Sequence, residues 1–102
     1  MRRLLLSTAA ENDLLAIHAF LADRDPAVAD RFVDGIFRRC GQLIDRPHLG
    51  RPRPDVRADV RSLLFERWVI FYRPDPDAVL ILRIVDSARD LGRLDWPDNE
   101  TQ

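Results

Sequence analysis

Four arginines, Arg61, Arg67, Arg73 and Arg83, fall within the apolar C-terminal part of a chain of 102 residues. Guanidinium groups set on strands can do two kinds of work. They can steady the charge that builds on a phosphodiester as it breaks, or they can grip the carboxylates of another polypeptide with paired hydrogen bonds. Cutting RNA asks for more than cations. A base must take the proton of the ribose hydroxyl, and an acid must supply one to the leaving oxygen. The candidates for that proton traffic are His18, His48, Tyr72 and Asp86. An aspartate with its ordinary pKa of about 3.9 is a weak base at neutral pH, and its charge repels a phosphate. Tyr72 reads as a sheet residue, His18 lies in a helical stretch and His48 in a loop, so none is placed beside Arg83. The pattern favours gripping a polypeptide over cutting RNA, and no catalytic residue is assigned.

The elements that must position these residues follow from the apolar spacing. Arg3 to Leu6 reads as a short strand. Thr8-Ala9-Ala10-Glu11 matches a capping box at a helix start, and Leu14, Ile17 and Leu21 continue at helical spacing, with Leu15 and Phe20 broadening the stripe. Asp25-Pro26 suits an N-cap followed by a first helical residue, because proline lacks an amide that would be unpaired there anyway. A second helix carries Val28, Phe32, Ile36, Cys40, Leu43 and Ile44 on one face, and Gly35 and Gly41 are read as points where a neighbour approaches closely. So short a link predicts an antiparallel helical hairpin. "HLGRPRPD" reads as loop. Three strand-like runs follow, "VRSLLF", "WVIFYR" and "AVLILRIV", with a break at Glu66-Arg67 and a turn at "RPDPDA". The order strand, helix, helix, strand, strand, strand predicts an α+β fold, with the helical hairpin on one face of a mainly antiparallel sheet and the other face partly open. "ARDLGRLDW" adds a short C-terminal helix, within a single domain over 1–97 followed by a frayed tail at 98–102.

Composition narrows the classes. The formal net charge is −1, and all sixteen basic residues are arginine. Between Arg51 and Arg73 six arginines stand against three acids, whereas from Asp75 onward three arginines stand against seven. A dedicated nucleic-acid binder shows a clearly basic domain, so direct nucleic-acid binding is not expected. The single Cys40 excludes an internal disulfide and a multi-cysteine metal site and reads as a buried, inert thiol; no metal or cofactor is expected. No apolar run approaches the ~20 residues that span a bilayer, and "MRRLLLS" is too short for a signal peptide, so the expected location is the cytoplasm.

Taken together and in order, "LSTAAENDLLAI" at 6–17, "PHLGRPRPDVR" at 47–57, "RSLLFERWVIFYRP" at 61–74 and "ILRIVDSARDL" at 81–91 resemble the ParE branch of the RelE/ParE toxin superfamily. The resemblance reaches to about Trp96. It implies the fold just described, a role in a type II toxin–antitoxin module that stabilises plasmids, and a cognate ParD-like ribbon-helix-helix antitoxin whose tail folds onto the toxin as a hetero-oligomer. It implies DNA gyrase as the target. The RelE branch instead cuts messenger RNA on the ribosome, and a third possibility is a non-toxic module that helps its antitoxin repress their operon. Two departures stand out: Glu66 occupies a turn position where many relatives carry glycine, and Asp86 stands where many carry histidine.

Candidate contacts with antitoxin or target are Arg61, Arg67, Trp68, Tyr72, Arg73, Arg83, Asp86 and Arg89, together with Leu15 and Phe20 on the flank of the first helix. Arg83 has a structural alternative, an ion pair with Asp86 or Asp59. Residues two apart share a strand face, so a bond to Asp86 needs an irregularity in the strand. Arg61 and Arg73 are expected to flank one surface, and Trp68 is read as a core or cross-strand residue. Ser87 is expected to cap a short helix beginning at Ala88, leaving Arg89 at the end of the sheet.

Overall fold

The computed structural model describes residues 2–88. The chain runs β1 (Arg3–Leu6), α1 (Thr8–Ala22), α2 (Pro26–Asp45), β2 (Arg51–Pro52), β3 (Arg61–Phe65), β4 (Trp68–Pro74) and β5 (Ala78–Asp86). The strands form one sheet in the order β1-β5-β4-β3-β2. β1 lies parallel to β5, and the other pairings are antiparallel. The helical hairpin and the three-strand meander are as the sequence predicts. The expected C-terminal helix and the domain boundary at 97 lie outside the described residues.

α1 begins one residue earlier than the capping box suggests. Ser7, not Thr8, is the N-cap, and its Oγ accepts from the Ala10 amide at 3.0 Å. At α2 the expected cap holds: Asp25 Oδ1 accepts from the Ala27 amide at 3.0 Å, with Pro26 as the first helical residue. His18 on α1 meets Asp30 on α2 at 3.1 Å. Gly35 admits the ring of Phe65, whose Cζ would stand 2.3 Å from an added Cβ, whereas Gly41 faces open space and supports no close approach.

The core has two sides. Phe32, Ile36, Cys40 and Leu43 of α2 meet Ile70, Tyr72, Val79, Ile81 and Ile84 of the sheet. The opposite face is not open as the sequence suggests. Phe71, Leu80, Leu82 and Val85 are buried there, with Val60 in the same cluster and Val56 packed against it from the segment that precedes β3. Part of what reads as loop is a two-residue edge strand, Arg51–Pro52, paired with Ser62 and Arg61. Its brevity and its proline make a blunt edge that recruits no further strand.

Strict alternation fails in β5. Ile81 pairs with Tyr72 and Arg83 with Phe71, so Leu82 is an extra residue with no partner across the ladder. Such a bulge resets which side chains face which way. It is why Ile81 and Ile84, three apart, both reach the helix side.

The β3–β4 hairpin turns through Glu66 and Arg67 between the paired Phe65 and Trp68. Glu66 has φ 54°. A positive φ at the first central residue is the mark of a type II′ turn, where glycine is preferred because it has no Cβ to clash. Glu66→Gly should therefore stabilise the fold by about 1 kcal/mol, a rise of roughly 4–8 °C in Tm. A thermal melt showing no rise would mean that the glutamate side chain makes a compensating contact.

Candidate functional site

Arg83 is a fastener between helix and sheet. Its guanidinium donates from Nε to Asp13 Oδ2 at 2.7 Å and from a terminal nitrogen to Asp13 Oδ1 at 2.9 Å. The same Oδ2 accepts the Ile84 amide at 2.9 Å. Both side chains are nearly buried, at 10% and 14% exposure. The junction forms where β1 gives out: the Ser7 amide donates to Ile81 O, and its hydroxyl donates to Leu82 O at 2.8 Å. Thus the first turns of α1 take over the hydrogen bonding of β5 beyond the end of its parallel neighbour. The partners proposed from sequence, Asp86 and Asp59, do not hold Arg83. The bulge at Leu82 and the return of α1 over the sheet bring Asp13 to it instead, seventy residues away in the chain.

Tyr72 is likewise internal. Its phenol donates to Pro47 O at 2.8 Å and accepts from the Gly50 amide at 2.8 Å. Arg61 donates to Gly50 O at 2.7 Å. Between them they clamp the turn from Pro47 to Gly50. A side chain at Gly50 would strike Ser62 O at 2.5 Å and the Tyr72 hydroxyl at 2.7 Å. Burial pushes the Tyr72 phenol above its ordinary value of 10. Arg73, on the other face, reaches Asp75 at 3.3 Å and Asp59 at 4.0 Å, so it does not flank one surface with Arg61. The sheet arginines do not gather on one open face.

Arg53, absent from the sequence candidates, closes the second face. It forks onto Asp55 at 3.0 and 2.9 Å and lies 5.2 Å over the Phe71 ring. That fork holds the Asp55 carboxyl below the usual range. The arginine's position in "RPRPD" carries the signal, two residues before an aspartate. The Cys40 thiol is 2% exposed, and burial pushes its pKa up to about 12, so it is no nucleophile.

A groove of about 480 Å³ lies between α2 and the β3–β4 hairpin. Its floor holds Phe32, Phe65 and Trp68, with the Phe32 and Trp68 rings edge to face at 5.3 Å. Arg31, Arg38 and Arg67 stand on its rim with Asp34 and Glu66. Arg67 is ion-paired to Asp86 and lies 4.9 Å over the Trp68 ring. Arg31 and Arg38 make no ion pair among the described residues. Of the sequence candidates, the groove gathers Arg67 and Trp68, with Asp86 behind them. Leu15 and Phe20 stand exposed on α1. Arg89 lies outside the described residues. Asp86 Oδ1 accepts the Ala88 amide at 3.0 Å, and the helix that Ser87 was expected to cap lies outside the described residues. Sequence reasoning missed Arg31 and Arg38, although their seven-residue spacing marks one helix face.

Removing one partner of a buried ion pair leaves the other charge stranded. Arg83→Ala and Asp13→Ala should each cost about 3–5 kcal/mol in denaturant unfolding, and the double variant should cost clearly less than their sum. Additive losses would show that the pair is not a unit. For Tyr72 the folded state holds the phenolic proton more tightly than the unfolded chain. Stability from the clamp is therefore complete below the ordinary pKa and lost as pH rises through the folded value. Melts between about pH 9 and 12 should decline more steeply for the parent chain than for Tyr72→Phe. Parallel declines would place the phenol in solvent.

Residues 4–91 match the family described as ParE toxin of type II toxin-antitoxin system, parDE. The chain is 36% identical over 88 residues to Toxin RelE3 of Caulobacter vibrioides, covering 85% of this chain and 96% of that protein. It is 34% identical over 59 residues to Toxin ParE3 of the same organism, covering 58% of this chain and 56% of that protein. Among solved structures it is similar to a chain of the chromosomal ParDE system from P. aeruginosa, with TM-score 0.73 and 27% identity over 84% of this chain and 96% of that one. It also shares its fold with a chain of the toxin–antitoxin complex RelBE2 from Mycobacterium tuberculosis, at TM-score 0.58 and 24% identity over 83% of this chain and 96% of that one.

Proposed function

The chain belongs to the ParE toxins of type II toxin–antitoxin systems, and from that premise we propose that it acts by binding DNA gyrase, without catalysis, and is neutralised by an antitoxin seated in the groove of α2 and the β3–β4 hairpin. The observation that carries this reading is the fate of the polar groups on the sheet. Arg83 is consumed by Asp13, Tyr72 by Pro47 and Gly50, and Asp86 by Arg67 and the Ala88 amide. A nuclease must present a proton-moving group and a free cation to one phosphodiester. The two histidines offer no substitute: His18 pairs with Asp30 on the helical hairpin, and His48 sits in the clamped loop, on its exposed side.

The groove supports the antitoxin assignment through its chemistry. An aromatic floor gives area for burial, and the arginine rim favours an acidic partner. A tail that folds as it binds needs a large apolar contact to offset its ordering entropy. The ParDE and RelBE2 neighbours, both parts of toxin–antitoxin assemblies, support a partner of this class, here a ParD-like ribbon-helix-helix protein. Gyrase as target places the toxin in the cytoplasm.

Purified toxin should inhibit supercoiling by gyrase and leave messenger RNA intact on translating ribosomes. Ribosome-dependent cleavage of transcripts would overturn the proposal in favour of the RelE-like reading, and normal growth on expression of the chain alone would favour the non-toxic co-repressor. Charges on an interface rim act chiefly on association. The pair Arg31→Glu and Arg38→Glu should slow antitoxin association about tenfold and flatten its salt dependence, with an unchanged melt. An unchanged on-rate would remove the antitoxin from this groove.

A further inference from the structure

The groove between α2 and the β3–β4 hairpin is edged by charges of both signs. On α2 its wall is Arg31, Asp34 and Arg38. At 3.6 residues per turn these three share one stripe of the helix, beside the stripe that gives Val28, Phe32 and Gly35 to the groove. All three are exposed, and none makes an ion pair among the described residues. Opposite charges three and four apart on a helix are within reach of each other. Here Asp34 stands between two guanidiniums and pairs with neither. Across the groove Arg67 is already answered by Asp86, whereas Glu66 adds a second carboxylate without an ion pair among the described residues. The uncommitted charges on the rim are therefore two of each sign.

We propose, on the reading that an antitoxin occupies this groove, that Asp34 decides which antitoxin fits: an amphipathic helix with acid, base and acid on the edge that faces α2. An occupant that lays apolar side chains over Phe32, Phe65 and Trp68 also takes water from the wall beside them. A carboxylate stripped of water with no cation beside it is costly. A purely acidic tail would satisfy Arg31 and Arg38 but would press a further negative charge on Asp34. Such repulsion is what turns away wrong partners. A base between the two acids removes it, and the edge as a whole stays acidic to match the two arginines. The spacing selects the conformation as well. Along the axis Asp34 lies about 4.5 Å and Arg38 about 10.5 Å beyond Arg31. A helix alongside α2 repeats those steps with its charges at i, i+3 or i+4, and i+7, on one face, and leaves the adjacent face for apolar residues. An extended segment sets same-side residues about 6.6 Å apart, so its second charge overshoots Asp34 and its third overshoots Arg38.

Association and dissociation rates of the purified full-length toxin on surface-captured antitoxin, the protein encoded beside it, test this. A charge pair that is buried on binding acts on the off-rate. Asp34→Arg should therefore speed dissociation about a hundredfold and Asp34→Asn about tenfold, and neither should slow association. Reversing one basic residue in the toxin-binding segment of the antitoxin to Glu should restore slow dissociation of the Asp34→Arg toxin and weaken binding of the parent. Both toxin variants alter an exposed position, so their melts by circular dichroism should match the parent. An off-rate within about twofold of the parent for Asp34→Arg, or a failure of every such reversal to rescue it, overturns the proposal. If Arg31→Glu with Arg38→Glu still slows association, that failure is confined to Asp34; if it does not, the groove reading falls as well. An Asp34→Arg toxin that binds antitoxin normally but no longer inhibits gyrase gives this wall to the target and also overturns the proposal.

Discussion

The fold depends on one buried contact, the carboxylate of Asp13 held between the guanidinium of Arg83 and the amide of Ile84. β1 is only four residues long, and beyond it the longer neighbouring strand β5 would present unpaired backbone to the interior. Buried amides and carbonyls without partners cost about 1–3 kcal/mol each. Ser7 and Asp13, a cap and a first-turns acid of α1, supply those partners. The helix is thereby locked to the strand at one register, and α2 and the rest of the meander build on that alignment. A buried ion pair adds little net stability over an apolar pair, but it admits few alternative placements. Its role here is to fix where α1 sits.

This arrangement shapes function by subtraction. The polar residues that looked available for chemistry in the sequence are spent on structure: Arg83 on Asp13, Tyr72 and Arg61 on the turn before β2, Arg73 on Asp75. The surface that remains is adhesive in character. One part is the aromatic groove with its arginine rim, and another is the apolar outer side of α1. Both suit protein partners, and a toxin held in check by an antitoxin needs such surfaces.

The architecture was legible because its signals are local. Asp25-Pro26 marks a helix start, the Glu66-Arg67 break marks a hairpin, and apolar runs mark strands. What was not legible arises from contacts remote in sequence. Nothing near Arg83 announces Asp13, because the bulge at Leu82 resets the strand and the chain returns over it from far away. The covered second face also escaped notice, since Val56 and Val60 look like loop residues until the segment folds back onto Phe71. The same limit hid the groove. The strand positions of Arg67 and Trp68 are plain from the sequence, but that α2 brings Arg31 and Arg38 beside them is not. Glu66 shows the opposite case: its departure from the glycine of many relatives pointed to a backbone position that does carry a positive φ.

The most direct measurement is gyrase inhibition per folded molecule by a chain in which the fastener is made neutral, Asp13→Asn with Arg83→Gln. The amides can keep the hydrogen bonds to each other and to Ile84 while removing both charges. If Arg83 only fastens helix to sheet, the folded fraction should inhibit supercoiling within about twofold of the parent, because no more than the binding geometry is needed. A chain that folds normally yet loses activity by two orders of magnitude would place the guanidinium in the working site and contradict the account.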